Sequence, residues 1–340
     1  MLNPKPTSIA FAQDYLKEQI VDIHLLAQSG SNRKNYRLTV SNGCSYILTE
    51  NDFIAENKTF FYFSRLCNQF QIQVPLLLAV DQTETCYLQE DLGSVDLMGM
   101  LQKEGYTDSV FNLFAQSIHQ LVQLQIQFKN QIDYNQCYDF QVFDEKVVQN
   151  DLFYFKNYFL DRLDIPYQKS SFISDISSLS NRVITLPATY FLYRDFQSRN
   201  VMIKQNTTYF IDFQGGMRGF LGYDLVSFIY QAKAALPDSW KSNLKKIYFD
   251  LLIQKENRSI TELEEGFQLA MILRFFQVFG TYGLRGLVER KTHFIDSIFL
   301  NMDNIQYLLQ SGMLQEFPAL KSVAQTIVST ETRDKIKTFL

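Results

Sequence analysis

Two stretches of the chain decide its interpretation, YRDFQSRNVMI at residues 193–203 and IDFQ at residues 211–214. Asp195 and Asn200 lie five residues apart in the first stretch, and Asp212 follows Asn200 by twelve residues in the second. Residues 201–204 and 209–212 are short β-prone runs, and Asn206-Thr207 between them predicts a hairpin. We therefore expect the hairpin to bring Asn200 and Asp212 together.

These three side chains suit phosphoryl transfer. Asp195 can accept the proton of an attacking hydroxyl, while Asn200 and Asp212 offer the hard oxygen ligands that Mg²⁺ prefers. Any one of them alone is better explained as a residue that caps a turn. The combination at this spacing favours the catalytic interpretation.

Composition excludes several classes of protein. The chain has 340 residues, which is more than one hydrophobic core usually holds, so we expect two lobes. Hydrophobic residues make up 46% and charged residues 20%, which excludes a disordered protein. Lys and Arg total 32 against 36 Asp and Glu, so no general nucleic-acid surface is expected and only a local basic site for a small anion remains open.

Zinc binding, secretion and membrane insertion are likewise not expected. The four cysteines form no C-x-x-C pair, and the three histidines lie nowhere near ligand spacing. The first residues include no apolar signal-peptide core, and the longest apolar run, residues 74–80, is far shorter than a bilayer span. We expect a cytoplasmic protein with reduced thiols and no membrane or nucleic-acid partner.

The first ninety residues differ from the rest in pattern. Strands are predicted at residues 36–40, 45–49, 76–80 and 86–89, with a helix over residues 51–70 and another at residues 11–26. Beyond residue 93 the pattern is mainly helical, with helices predicted at residues 110–128, 142–163, 224–235, 239–254, 261–279 and 294–310. The fold class is therefore α+β, with a small antiparallel sheet and one main helix before a larger helical part.

Several segments together resemble the aminoglycoside phosphotransferase and choline kinase family of small-molecule kinases, and within it the bacterial N-acetylmuramate/N-acetylglucosamine 1-kinases. The resemblance spans about residues 25–310 and is carried by SNRKNYR at 31–37, QEDLG at 89–93, RDFQSRN at 194–200, DFQ at 212–214, GYDLVS at 222–227 and QVFGTYG at 277–283. It implies a bilobal protein-kinase-like fold, with a nucleotide-binding lobe at residues 1–92. Residues 93–340 would form a helical lobe with the catalytic loop and the acceptor site.

The resemblance also implies a role for each matching residue, with ATP and Mg²⁺ as cofactors. Asp195 would be the catalytic base, Asn200 and Asp212 the metal ligands, and Asp224 a brace for the catalytic loop. The nucleotide would be held at the hinge by Glu90, Asp91 and Leu92, on the adenine faces by Leu38, Ile47 and Met202, and at the phosphates by Gly30, Ser31, Arg33 and Lys34.

The chain departs from the family pattern at two places. Tyr193 occupies a position that is usually His, where another aromatic ring can still pack. More seriously, residues 44–49 on the third strand include no Lys to hold the α- and β-phosphates through a Glu on the next helix. Glu56 is the candidate for that Glu, and either Arg33 or Lys34 would then supply the missing charge.

A protein kinase is disfavoured, because only eleven residues separate Asp212 from Asp224 and leave no room for an activation segment. The leading hypothesis is ATP-dependent phosphorylation of an amino-sugar hydroxyl, such as the anomeric one. The alternatives are an aminoglycoside or choline phosphotransferase and a catalytically silent nucleotide-binding regulator. The sequence assigns neither the residues that bind the acceptor nor the oligomeric state.

Overall fold

The computed structural model describes residues 3–27 and 33–340. The α-helices are Pro6–Leu16 (α1), Ile54–Gln69 (α2), Leu97–Glu104 (α3), Asp108–Phe128 (α4), Glu145–Phe155 (α5), Lys169–Ile184 (α6), Tyr223–Ile229 (α7), Asp238–Glu256 (α8), Ile260–Tyr282 (α9), Thr292–Ser311 (α10), Pro318–Ile327 (α11) and Thr330–Lys337 (α12). The strands are Ile20–Leu25 (β1), Lys34–Val40 (β2), Ser45–Glu50 (β3), Leu77–Val80 (β4), Cys86–Glu90 (β5), Tyr190–Leu192 (β6), Val201–Lys204 (β7), Thr207–Phe210 (β8) and Met217–Gly219 (β9).

The chain divides into two compact units. Unit 1 comprises residues 1–127, 133–139 and 199–216, and unit 2 comprises residues 128–132, 140–198 and 217–340. The hairpin that carries Asn200 and Asp212 thus belongs to unit 1, although it lies late in the sequence. The boundary predicted between residues 92 and 93 separates a nucleotide-binding lobe from a catalytic lobe. This division by function stays a prediction.

Unit 1 is built on an antiparallel sheet of strand order β1-β2-β3-β5-β4. Successive residues of a strand point to opposite faces. One face packs against Ala12 of α1 through a buried cluster that includes Tyr36, Leu38, Leu48 and Leu88. The other face, which includes Asn35, Ile47, Tyr87 and Gln89, lines a cavity.

The helix predicted over residues 11–26 is wrong in its second half. Helix α1 ends at Leu16 because Lys17 adopts a left-handed conformation, with φ of 56°. Residues Ile20–Leu25 instead form β1, which pairs with β2. The β-branched residues of this segment favour a strand once a partner edge is available.

The predicted hairpin is confirmed, as strands β7 and β8 pair from Val201 with Phe210 to Lys204 with Thr207. Its turn lies one residue earlier than expected, at Gln205 and Asn206, which have φ of 51° and 58°. Two consecutive positive φ values are typical of the two-residue turn that matches the twist of paired strands. Beyond β8, Phe213 stacks on Phe60 of α2 with ring centroids 5.3 Å apart, which fixes the segment after Asp212 against unit 1.

Unit 2 is mainly helical and packs its apolar stripes as the sequence predicts. The stripe of Val148, Leu152, Phe155, Phe159 and Leu163 is buried throughout. Helix α5 ends earlier than expected and continues as a π-helical segment, Lys156–Leu160. Strand β6 ends just before the loop that carries Asp195, and it pairs with β9, which follows that loop in the chain.

Among residues 3–27 and 33–340, no helix has both the length and the apolar character that crossing a bilayer requires. The α+β fold class predicted from the sequence is confirmed by the sheet of unit 1 and the helices of unit 2.

We expect Gly283→Ala to destabilise the protein. Gly283 begins a π-helical segment, Gly283–Val288, and a Cβ there would collide with the carbonyl oxygen of Tyr158 and lie 2.7 Å from its carbonyl carbon. Overpacking of this kind costs about 1–3 kcal/mol. Chemical denaturation should show a lower unfolding midpoint.

The matched control is Gly99→Ala in α3, where the added Cβ would lie 3.6 Å from Asp96 Oδ1, an ordinary contact. Because Ala favours a helix over Gly, this change should leave the unfolding midpoint unchanged or raise it. A Gly283→Ala protein as stable as the parent would contradict the close approach of these two backbones.

Candidate active site

The cavity of unit 1 has a volume of about 250 Å³. It lies against the sheet face described above, and its lining includes the hinge and both ends of the hairpin: Leu26, Arg33, Asn35, Ile47, Phe60, Pro75, Tyr87, Gln89, Glu90, Asp91, Leu92, Gly93, Asn200, Met202, Ile211 and Asp212. Apolar side chains and carboxylate, amide and guanidinium groups therefore share one cavity.

Asn200 and Asp212 both line this cavity, as the hairpin predicts. Asn200 ends a 3₁₀ turn, and its backbone oxygen accepts a hydrogen bond from Ile211 N at 3.0 Å. Asp212 follows β8 with φ of 69°, a left-handed conformation that is uncommon outside glycine and often found at functional sites. The hairpin thus brings an amide and a carboxylate to one place.

The Asp212 carboxylate is held by two donors. Its Oδ1 accepts hydrogen bonds from Arg33 Nη2 at 2.8 Å and from Gln214 Nε2 at 2.7 Å. These bonds fix the orientation of the carboxylate. Carboxylate and amide oxygens at the hairpin ends fit a hard divalent cation, which would take its other ligands from water or from phosphate oxygens.

The Arg33 guanidinium in this cavity forms ion pairs with two carboxylates. Its Nη2 lies 2.8 Å from Asp212 Oδ1 and 3.5 Å from Glu56 Oε1. Burial alone would lower the pKa of the guanidinium, but the nearby Asp212 and Glu56 carboxylates contribute to a net rise, so Arg33 stays charged. Asn51 Nδ2 donates to Glu56 Oε2 at 2.8 Å and orients that carboxylate from behind.

Of the two candidates for the missing strand lysine, the structure favours Arg33. Lys34, the next residue, lines a different cavity with Lys5 and Asp52. The expectation that Lys34 shares the phosphate site is wrong for this cavity, because consecutive residues at the start of β2 point to opposite sides. Gly30 and Ser31, the other predicted phosphate contacts, lie outside the described residues.

The predicted hinge residues Glu90, Asp91 and Leu92 all line the cavity. The Asp91 carboxylate accepts from Arg37 Nε at 2.6 Å and from Arg37 Nη2 at 3.0 Å. Burial would raise the pKa of Asp91, but its hydrogen bonds, first among them those from Arg37, bring about a net lowering. Glu90 Oε1 accepts from Lys204 Nζ at 2.7 Å, so both carboxylates brace the hinge.

The predicted apolar walls are only partly right. Ile47 and Met202 line the cavity, but Leu38 is fully buried in the cluster on the other face of the sheet. The prediction for Leu38 is wrong because Arg37, not Leu38, pairs with Ile47 and shares its face. The same strand alternation could have found Asn35, Tyr87 and Gln89, which the sequence reasoning missed.

Asp195 lies in unit 2, and its side chain is 52% exposed. Arg274 Nη2 lies 3.4 Å from Asp195 Oδ1, while Arg274 Nη1 donates to Gln277 Oε1 at 2.7 Å. Burial would lower the pKa of the Arg274 guanidinium, but Tyr223 and Asp195 contribute to a net rise. Sequence reasoning missed Arg274, which lies 79 residues from Asp195 in the chain.

The loop before Asp195 is braced as the sequence predicts. Asp224 Oδ2 accepts from Tyr193 N at 2.8 Å and Asp224 Oδ1 accepts from Arg194 N at 3.0 Å. The Arg194 side chain is paired with the buried Asp151 and donates to Tyr223 Oη at 2.8 Å. Tyr193 is buried and packs on Phe196 with centroids 5.2 Å apart, so the tyrosine fills the position where the family usually has histidine.

A family model described as the phosphotransferase enzyme family matches residues 22–256, more than half of the chain. The chain belongs to the phosphotransferase enzyme family. This confirms the resemblance inferred from the motifs at residues 89–93, 194–200 and 212–214.

Among characterised relatives, the chain is 24% identical over 226 residues to the N-acetylmuramate/N-acetylglucosamine kinase of Neisseria meningitidis serogroup B, strain MC58. The match covers 65% of this chain and 64% of that kinase, slightly less than two thirds of the relative's length.

Solved structures show the same fold at low identity. The aminoglycoside phosphotransferase APH(2″)-IIa, in a ternary complex with streptomycin and ATP, has a TM-score of 0.56 at 12% identity and covers 92% of this chain and 99% of its own. Choline kinase from Cryptosporidium parvum Iowa II has a TM-score of 0.58 at 13% identity and covers 88% of this chain and 93% of its own. These likenesses confirm the predicted kinase-like fold.

We expect Asp224→Asn to loosen the loop that carries Asp195. An asparagine keeps one acceptor oxygen but turns an NH₂ group toward one of the two backbone N–H donors, which leaves a buried donor unsatisfied. Such a loss costs about 1–3 kcal/mol. Chemical denaturation should show a lower unfolding midpoint, and amide hydrogen exchange at Tyr193 and Arg194 should be faster.

Asp238→Asn is the matched control, since Asp238 is 97% exposed and pairs only with nearby Lys241 among the ion pairs of the described residues. It should leave both measurements unchanged. Equal effects of the two substitutions would show that the Asp224 bonds do not hold the loop.

Proposed function

We propose that this chain is an ATP-dependent kinase that transfers the γ-phosphoryl group to a hydroxyl of an amino sugar, such as the anomeric hydroxyl of N-acetylmuramate or N-acetylglucosamine. The observation that carries the proposal is the meeting of Asn200, Asp212 and Arg33 in one cavity. Family membership supports the reaction class, and the relative from Neisseria meningitidis supports the acceptor class.

The cavity of unit 1 suits a nucleotide. Ile47, Met202 and Leu92 supply apolar surface for a flat base, and we expect the base to hydrogen-bond to the hinge backbone at residues 90–92. Asn200, Asp212 and Arg33 supply the oxygen ligands and the positive charge that polyphosphate recognition needs.

Asn200 and Asp212 would hold Mg²⁺, which when bound neutralises charge on the phosphate oxygens. Arg33 would supply the charge that a strand lysine supplies in related kinases. Its pairing with Glu56 and Asp212 supports this role, because the same guanidinium is oriented by the helix carboxylate and fixes the metal-binding carboxylate.

Asp195 would act as the general base. It accepts the proton of the acceptor hydroxyl as that oxygen forms a bond to the γ-phosphorus and the bond from this phosphorus to the bridging oxygen of ADP breaks. The exposure of Asp195 supports the role, since a base must reach a bound acceptor, and the backbone bonds to Asp224 fix its loop.

A coupled ADP-release assay with a panel of acceptors tests the proposal. We expect turnover with N-acetylmuramate and N-acetylglucosamine. Turnover with choline or an aminoglycoside, and none with these sugars, would instead favour the alternative that the solved relatives suggest. Stabilisation by Mg-ATP in a thermal-shift titration without turnover on any acceptor would favour a silent nucleotide-binding regulator.

Asp195→Ala and Asp212→Ala should differ in their effects on nucleotide binding. Asp195→Ala should leave the Kd for Mg-ATP nearly unchanged and lower kcat by about 10²–10⁴-fold, the usual contribution of a general base. Asp212→Ala should weaken Mg-dependent nucleotide binding as well as lower kcat, because it removes an anionic metal ligand. Calorimetric titration and steady-state kinetics measure the two quantities, and equal losses of nucleotide affinity would contradict these separate roles.

Arg33→Ala should lower kcat by about 10²–10³-fold, the usual effect of removing one preorganised electrostatic group, and should weaken Mg-ATP binding. Arg33→Lys should recover part of both, since it restores the charge but not the fork of donors.

Lys34→Ala is the matched control, because it removes a neighbouring cation that lies outside the cavity. It should change kcat and Mg-ATP affinity little. Circular dichroism of each variant separates a catalytic loss from misfolding. If Lys34→Ala were the more damaging change, the assignment of the missing charge to Arg33 would be wrong.

A further inference from the structure

Unit 2 contains a small cavity that is lined in part by the loop of Asp195. Its lining includes Gln197, which follows Asp195 by two residues, and Arg274, whose guanidinium approaches Asp195 Oδ1 at 3.4 Å. The Arg274 side chain therefore contacts both the cavity and Asp195, the proposed base. Its volume of about 10 Å³ is room for a group of about the size of a water molecule.

Ser227 on α7 lines this cavity with an unused hydroxyl. The residue is only 3% exposed, and its Oγ makes no hydrogen bond to any of the described residues. A buried hydroxyl without a partner costs about 1–3 kcal/mol, so such groups are rarely left in a fold without a reason. In a cavity of this size, the hydroxyl can donate a hydrogen bond to one oxygen atom of a ligand.

The charge of the cavity limits what can enter. Arg274 is the one formally charged side chain among the described residues that line it, and the other polar groups are neutral, such as Gln231 and Asn301. Among the residues that the structure describes, no carboxylate lines the cavity to pair with an incoming ammonium group. An oxygen atom with lone pairs can accept from both Arg274 and the Ser227 hydroxyl. An ammonium group can only donate, and Arg274, whose charge is already paired with Asp195, offers it no acceptor.

Building on the proposed function, we propose that this cavity binds the carbonyl oxygen of the acceptor's acetamido group, with Ser227 as the hydrogen-bond donor and Arg274 as the group that rejects an ammonium. The place of the cavity supports this choice of substituent. Arg274 both lines the cavity and contacts Asp195, so the part of the acceptor that we expect to reach the cavity is a substituent next to the reacting hydroxyl. In a 2-acetamido sugar phosphorylated at the anomeric position, that substituent is the acetamido group.

The decisive experiment combines a change in the protein with a change in the sugar. The values of kcat and KM are measured for the parent and for Ser227→Ala with N-acetylglucosamine and with 2-deoxyglucose, which has no substituent at the neighbouring carbon. We expect Ser227→Ala to lower kcat/KM for N-acetylglucosamine by about 5–10-fold, mainly through KM, since a hydrogen bond contributes about 1 kcal/mol. The same substitution should leave kcat/KM for 2-deoxyglucose unchanged.

Two further variants keep the result interpretable. Ser180→Ala removes a hydroxyl of α6 that is equally buried and equally without a partner among the described residues, but that does not line the cavity, so neither sugar should be affected. Ser227→Thr places an extra methyl group by the cavity and should also penalise N-acetylglucosamine more than 2-deoxyglucose. This variant tests the same point if Ser227→Ala proves unstable.

Arg274 is tested by selectivity, because it also positions Asp195 and its loss lowers every rate. The parent should prefer N-acetylglucosamine to glucosamine, and Arg274→Gln should shrink that ratio at least several-fold, while Arg274→Lys should keep it. The readout is the ratio of the two kcat/KM values, which a general loss of activity does not change.

The outcomes separate this inference from the proposed function. Equal losses for N-acetylglucosamine and 2-deoxyglucose in both Ser227 variants, or a selectivity ratio unchanged in Arg274→Gln, would overturn the acetamido site while the kinase assignment stands. No phosphoryl transfer from Mg-ATP to any sugar would overturn the proposed function, and the acceptor site with it.

Discussion

The guanidinium of Arg33 is the interaction on which the cavity of unit 1 depends. It lies between the carboxylates of Glu56 and Asp212, which would otherwise repel each other in a partly buried setting. A buried charge that loses its partner is strongly destabilising, so these groups stabilise one another. The same cation lines the cavity that we propose as the nucleotide site, so the proposed function depends on this arrangement as well.

Two buried arginines of unit 2 likewise pair with carboxylates, next to the loop that carries Asp195. Arg194 is buried against Asp151, and Arg274 is buried with a contact to Asp195. In each case a planar guanidinium donates in several directions and fixes the backbone or carboxylate beside it. The difference lies in exposure, because Asp151 is buried, whereas about half of the Asp195 side chain is exposed to solvent.

Sequence reasoning succeeded where the signal was local. The β7–β8 hairpin, the α5 stripe and the pairing of Asp224 with the loop backbone all follow from residues close in sequence or from a short motif. It failed for Leu38 and Lys34, because a one-residue difference on a strand reverses the face and only the register with Ile47 settles which residue lines the cavity. It failed for the segment Ile20–Leu25, because a short apolar run fits a helix or a strand until a partner strand is known.

The sequence by itself determined the α+β class and the family, because motif spacing and hydrophobic periodicity are local properties of the chain. Only the tertiary structure showed that Arg33, and not Lys34, lines the cavity with Asp212, and only it revealed Arg274 and Ser227 beside the loop of Asp195. The physical reason is that these partners are brought together by strand register and helix packing across long stretches of chain. Local sequence patterns do not predict such long-range contacts, because burial and distance are properties of the folded molecule.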